Sequence, residues 1–228
     1  MASTKFNLEI LFEDNHFIIV NKKSGDIVQG DKTGDTPLSE IVKSYIKDQY
    51  NKPGKVFLGV VHRLDRPTTG IVVFAKTSKA LERFNKLLRE KKVDKTYWAI
   101  VKNKPKKDAD TLISYLKKNP KNNKSTSFHS AIEGSKKAIL HYKLLKSLDN
   151  YHLLEIDLET GRHHQIRCQL AEIGSPIKGD LKYGFDRSNK DASIHLHARS
   201  IKFIHPVRKE DISINAPTPD DVLWKACK

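Results

Sequence analysis

Short apolar runs separated by polar turns set the pattern of this chain. Leu8-Glu9-Ile10-Leu11-Phe12 and Phe17-Ile18-Ile19-Val20 flank the polar segment Glu13-Asp14-Asn15-His16, which predicts an opening hairpin. The second run exits through Asn21-Lys22-Lys23-Ser24-Gly25. Thr36 as N-cap and Pro37 at the first helical position predict a helix with Leu38, Ile41, Val42, Tyr45 and Ile46 on one face. Two further apolar runs, Val56-Phe57-Leu58-Gly59-Val60-Val61 and Ile71-Val72-Val73-Phe74-Ala75, predict strands on either side of a loop marked by Pro67 and Gly70. Ser78 can cap a second helix with a stripe of Leu81, Phe84, Leu87 and Leu88.

Thr96 to Val101 reads as a strand with Tyr97, Ala99 and Val101 on one face and Thr96, Trp98 and Ile100 on the other; the pattern does not say which face is inward. From Lys102 to Lys124 lysine dominates, with scattered Asn, Asp and Pro, which predicts an irregular, partly mobile excursion. It could serve as a phosphate-contacting arm or as a solvated loop. Ala138–Leu148 and Tyr151–Leu158 form a hairpin across Asp149-Asn150, and Gly161 breaks its second arm. Ile166, Leu170 and Ile173 then recur at helical spacing. Arg167 falls about 100° round from Ile166, at the edge of that stripe, where it can reach into a cleft. Gly174 ends the helix, a Gly-rich loop follows to Gly184, and the chain closes through Ile201-Lys202-Phe203-Ile204-His205-Pro206 and a short strand around Ile212-Ser213-Ile214.

Composition adds a partner class to this mixed pattern. The 228 residues are 38% hydrophobic, enough for a folded core, and no repeat or linker divides them, so one domain over 1–228 is expected. Lys and Arg number 42 against 27 Asp and Glu, a formal charge of +15, which suits a protein that neutralises phosphates. The two cysteines, Cys168 and Cys227, lie too far apart for a paired-spacing motif. The start lacks the apolar segment of a secretory signal and no run approaches a membrane span, so a cytoplasmic protein is expected.

Several chemistries are disfavoured by what is missing. His163, His164, His195 and His197 have no acidic or Cys partners in a ligand spacing, so no metal is expected. No Gly-x-Ser-x-Gly, phosphate-cradling or dinucleotide glycine pattern occurs, and no carboxylate pair stands in a strong motif. What remains is Asp65, flanked by Arg63 and Arg66 in the loop His62–Gly70, together with Tyr97 and a basic surface.

These residues carry a resemblance. His62-Arg63-Leu64-Asp65-x-x-Thr68-Thr69-Gly70 is similar to the signature of the RluA-type RNA pseudouridine synthases. Leu11-Phe12-Glu13-Asp14-x-His16-x-Ile18-Ile19-Val20-Asn21-Lys22 resembles the family's opening motif, Lys95-Thr96-Tyr97-x-Ala99 its tyrosine strand, and Thr160-Gly161-Arg162-x-His164-Gln165-Ile166-Arg167 its third motif. Gly179-Asp180-x-x-Tyr183-Gly184, Leu196-His197-Ala198 and His205-Pro206 follow in the family's order, so the match covers almost the whole chain. Thr69 stands where the family usually has Ser, which keeps the hydroxyl. Many members carry an N-terminal S4-type RNA-binding domain; here the chain begins at the catalytic part, which would leave substrate choice to it.

The resemblance implies a mixed α/β (α+β) fold with a curved, largely antiparallel sheet flanked by helices and loops, and RNA lying across a basic cleft. It implies isomerisation of uridine to pseudouridine in rRNA or tRNA by a monomer that needs no cofactor. By similarity Asp65 is the catalytic carboxylate, either nucleophile or base on the sugar, Arg167 pairs with it, and Tyr97 stacks on the base and helps remove the C5 proton. Arg63 would stabilise the gap left by the flipped nucleotide. His62, Arg66, Arg162, His164 and Gln165 are the further substrate- or RNA-binding candidates. The competing readings are a catalytically silent RNA-binding or RNA-chaperone protein and a hydrolase that releases free uracil.

Overall fold

The computed structural model describes residues 2–227, which form two compact units, 2–94 with Ala198–Pro219, and Lys95–His197 with 220–227. In the first unit β1 (Ile10–Glu13) and β2 (Phe17–Lys22) make the expected hairpin. Its turn is tied by the Asp14 carboxylate, which accepts the amides of His16 and Phe17 at 2.7 Å each. After β2 come α1 (Leu38–Gln49), the two-residue β3 (Gly59–Val60), β4 (Thr69–Ala75) and α2 (Ser78–Arg89).

β2 pairs antiparallel with β4, and every residue of both strands is buried. That double-sided burial explains why their sequences are continuous apolar runs and not alternations. Ile18, Val20, Val72 and Phe74 pack with Leu38, Val42 and Ile46 of α1, whereas Phe17 meets Phe84 of α2 edge-on at 5.4 Å. α1 starts one residue later than the pattern predicts, with extended Pro37 as its N-cap and no side-chain cap. Its first amides are instead taken by backbone, Leu38 N–H by Ile27 O at 2.7 Å and Ser39 N–H by Val28 O at 3.2 Å. The cap of α2 is Thr77, which accepts the Ala80 amide at 3.1 Å, in place of Ser78. The run Val56–Val61 yields only β3, paired antiparallel with β4.

β5 (Val93–Val101) leads into the second unit, which holds β6 (Ala109–Asn119), β7 (Lys124–Phe128), β8 (Lys136–Ser147), β9 (His152–Leu158) and α3 (Gln165–Glu172). The order is β5-β9-β8-β6-β7, and each of these pairs is antiparallel. The hairpin β8–β9 and α3 match the expectation. The lysine-rich excursion does not: its middle is the 11-residue strand β6, bonded to β8 on one side and to β7 on the other. A backbone ladder on both edges holds it whatever its side chains are, which is why a half-exposed, lysine-ended strand hides from a hydrophobic pattern.

β10 (Leu196–Ile204) carries the chain back into the first unit, where β11 (Asp211–Asn215) pairs with it antiparallel, and α4 (Val222–Ala226) packs Trp224 on Ile100 and Leu153 in the second. Both cysteines are buried and free. Among the described residues no helix is long and apolar enough to cross a membrane.

Candidate active site

The loop between β3 and β4 is a turn clamped from below. Asp65 O accepts the Thr68 amide at 3.0 Å, closing the turn around Arg66 and Pro67. Beneath it lies Lys22, the last residue of β2, with 1% of its surface exposed. Its ammonium donates to the carbonyls of Thr68 at 2.8 Å, Lys23 at 2.9 Å and Arg66 at 3.0 Å. Three N–H donors meet three acceptors, two of them on the Asp65 turn and one on the strand exit at Lys23. The Gly25 amide adds a bond to Arg66 O at 3.0 Å. Burial pulls Lys22 down to about 8, and the negative charges of Asp26 and Asp65 work against that fall. Lys22 thus places a positive charge in the field of the Asp65 carboxylate while fixing the carbonyls of Arg66 and Thr68.

Gly70 explains itself by space. At φ +108° a Cβ there would sit 2.3 Å from Ala198 O and 2.6 Å from Ala198 N, so only glycine lets β4 begin where it does. His62 is held inside the fold side of the loop, its Nε2 accepting the Val73 amide at 3.2 Å. Arg66 turns to the segment before α1: it pairs with Asp35 at 2.7 Å and donates to Thr33 at 2.9 Å, with Asp31 at 3.9 Å. The Arg66 hydrogen bond holds Asp35 below the usual carboxylate range, and the Thr33 hydroxyl does the same for Asp31. Arg63 is exposed and has no hydrogen bond or ion pair among the described residues.

In the second unit Tyr97 lies on the buried face of β5, 8% exposed, with Ala99 and Val101 at 0%. That is the inward face the sequence pattern left open. The opposite face satisfies itself across the strand pair, Thr96 on Asp157 at 3.0 Å and Trp98 on Glu155 at 3.2 Å.

Arg167 projects from the first turn of α3 and is 5% exposed. Its guanidinium grips Asp180 with two bonds, Nε to Oδ2 at 2.6 Å and Nη2 to Oδ1 at 2.8 Å, and lies 5.1 Å from the centre of the Tyr183 ring. This bidentate hold fixes the plane of the guanidinium. The Tyr183 hydroxyl, pushed up to about 12 by burial, accepts the Ser125 amide at 2.8 Å and bonds His164 Nδ1 at 2.9 Å. His164 adopts a left-handed backbone at φ 53°, stacks on His163 and starts α3. Gln165, buried, accepts Thr160 O–H at 2.8 Å and Arg162 N–H at 3.0 Å and donates to Ile139 O at 3.0 Å, so it braces this turn from within. Arg162 is exposed and donates through Nε to Lys137 O at 2.9 Å.

The first unit therefore gathers His62, Asp65 and Arg66 on one clamped turn, with Arg63 exposed beside them. The second gathers Arg162, His164, Gln165 and Arg167 on the turn that starts α3. Sequence reasoning gave no role to Lys22, Asp180 or Tyr183. The signals were there: a lysine closing an apolar strand, and an Asp and a Tyr between two glycines, Gly179 and Gly184, both at positive φ.

Residues 16–172 match the family described as RNA pseudouridylate synthase. Ribosomal large subunit pseudouridine synthase C of Buchnera aphidicola is 36% identical over 219 residues, covering 93% of this chain and 67% of that protein. tRNA pseudouridine synthase C of Vibrio parahaemolyticus is 30% identical over 231 residues, covering 93% and 91%. The chain spans 66% to 70% of the length of the first curated relatives it matches. Among solved structures, human RNA pseudouridylate synthase domain containing 4 superposes with a TM-score of 0.79 at 23% identity, over 95% of this chain and 90% of that one, a likeness of fold.

Proposed function

The chain belongs to the RNA pseudouridylate synthase family, and from that membership we propose that it converts uridine in structured rRNA or tRNA to pseudouridine in the cytoplasm. The observation that carries this reading is the clamped turn, in which the buried Lys22 ammonium holds the backbone of the loop that bears Asp65, with Arg63 exposed on the same loop.

The reaction breaks the bond from uracil N1 to ribose C1′, turns the base and joins C5 to C1′. Atoms are conserved and no water is consumed, so one carboxylate suffices where a hydrolase needs two. Asp65 acts on the ribose. A carboxylate used this way must keep one position, and the carbonyls of Arg66 and Thr68 that Lys22 holds favour that. Arg167 is the assigned partner of the Asp65 side chain, its own guanidinium oriented by Asp180. Tyr97 stacks on the base and serves the proton that leaves C5. Arg63 and Arg162 contribute exposed charge toward the RNA, and Arg63 occupies the place of the extruded nucleotide. His62, Arg66, His164 and Gln165 shape the turns that present these groups to the substrate.

The test is to incubate the purified protein with RNA from cells lacking it and map pseudouridine. The expected result is new pseudouridine at defined positions with intact chains and no free base. Free uracil would make the protein a hydrolase, and bound RNA without any product would make it a silent binder. Either would overturn the proposal. The mapped position also tells rRNA from tRNA.

A further inference from the structure

β5 carries a lysine where its own geometry leaves no ordinary use for one. Side chains two apart on a strand share a face, so Lys95 stands with Tyr97, Ala99 and Val101 on the side of β5 that is buried. Lys95 is half-buried and its side chain makes no hydrogen bond or ion pair among the described residues. Its only electrostatic influence is burial, which pushes the ammonium below the ordinary lysine range with no carboxylate to oppose it. The other cations of this unit show that acids are at hand: Lys102 pairs with Asp186, Lys104 with Asp108, Lys107 with Asp110 and Arg167 with Asp180. A desolvated, unpaired charge on a rigid strand is costly, and it stands one side-chain step, roughly 7 Å along the strand, from the tyrosine assigned to the uracil ring.

We propose that Lys95 is the receptor for an RNA backbone phosphate next to the nucleotide whose base lies on Tyr97. This rests on the RNA-modifying reading above and adds to it a residue that measures the distance between base and phosphate. A base stacked on an aromatic ring is held without regard to register. A point charge fixed two residues away on the same strand face gives that stacked nucleotide a backbone position. Lysine suits the task because its ammonium takes a phosphate as a point charge without imposing a plane.

The experiment compares wild type, Lys95→Met, Lys95→Gln and Lys95→Arg in the full chain, binding a fluorescein-labelled oligouridylate over a series of KCl concentrations. Loss of one phosphate contact on a single strand lowers the slope of log affinity against log salt by about 0.7. The expected result is that decrease for Met and Gln, a wild-type slope for Arg, and thermal midpoints for Met and Gln no lower than wild type, because a desolvated charge has been removed. Turnover on the mapped RNA should show a raised KM with an unchanged pH profile of kcat. A wild-type salt slope in both Met and Gln, or no binding by wild type at the lowest salt, overturns the proposal. So does a displaced pH profile with an unchanged slope, which would mean that Lys95 tunes the Tyr97 hydroxyl. Failure of the pseudouridine reading is separately visible as absence of product from wild type, whereas the salt slope reads the phosphate contact whatever happens to the base.

Discussion

Replacing Lys22 by Met keeps the length of the side chain and removes the ammonium that clamps the Asp65 turn. Three bonds to carbonyl oxygens are lost, at 2.8, 2.9 and 3.0 Å. Hydrogen bonds to a charged group contribute about 1.5–3 kcal/mol each, roughly 4–9 kcal/mol together. Against this, a lysine pulled from 10.5 to about 8 by burial carries a charge penalty of about 3 kcal/mol, which methionine is spared. The net expectation is a loss of roughly 1–6 kcal/mol, the carbonyl of Arg66 retaining one donor in the Gly25 amide. Urea unfolding reads this as a lower midpoint at constant m-value. The functional expectation is separate: with Thr68 and Arg66 released, Asp65 loses its fixed position, and a shift of about 1 Å costs on the order of a hundredfold in turnover. A variant with the wild-type midpoint refutes the clamp. One that is destabilised but, in dilute buffer where it is still folded, turns over at the wild-type rate refutes the link from clamp to catalysis.

Gly70→Ala should lower stability by about 3 kcal/mol or more, since φ +108° is strained for alanine and its Cβ would lie 2.3 Å from Ala198 O; a urea midpoint within error of wild type would count against it. Asp180→Asn removes the charge that holds the buried Arg167 guanidinium bidentately and should cost about 3–5 kcal/mol and most of the turnover, which unfolding and pseudouridine mapping both report; a stable, active variant would show that the pair is dispensable. Burial lowers the buried imidazoles of His195 and His205 below the free value of 6.5. The unfolded chain therefore takes up protons first, and stability should decline as pH falls below about 6.5. A urea midpoint that is flat or rises over that range contradicts this.

Much of the fold was legible because its long elements bury one face or both. The runs of β2 and β4, the stripes of α1 and α2 and the β8–β9 hairpin all announce themselves through apolar periodicity. β6 did not, because its stability comes from two backbone ladders and its exposed lysines point the wrong way for a pattern built on burial. The start of α1 differs from the pattern because backbone carbonyls of Ile27 and Val28, supplied by the fold, do the work of a capping side chain. For the site, the motif loops name Asp65, Tyr97 and Arg167 as candidates, and the turns that present Asp65 and Arg167 are well defined. Their supports were invisible: Lys22 reads as a polar strand exit until its depth is known, and Asp180 reads as a loop aspartate until Arg167, thirteen residues earlier, is seen in its grip.

The central claim is that Asp65 is the carboxylate of a pseudouridine-forming site. It is tested most directly by Asp65→Asn, which keeps the shape of the turn and removes only the charge. With unfolding shown to match wild type, equal amounts of the two proteins are given the same RNA and pseudouridine is mapped at single-nucleotide resolution. New pseudouridine with wild type and none with Asp65→Asn is the predicted result; equal product from both proteins would contradict it.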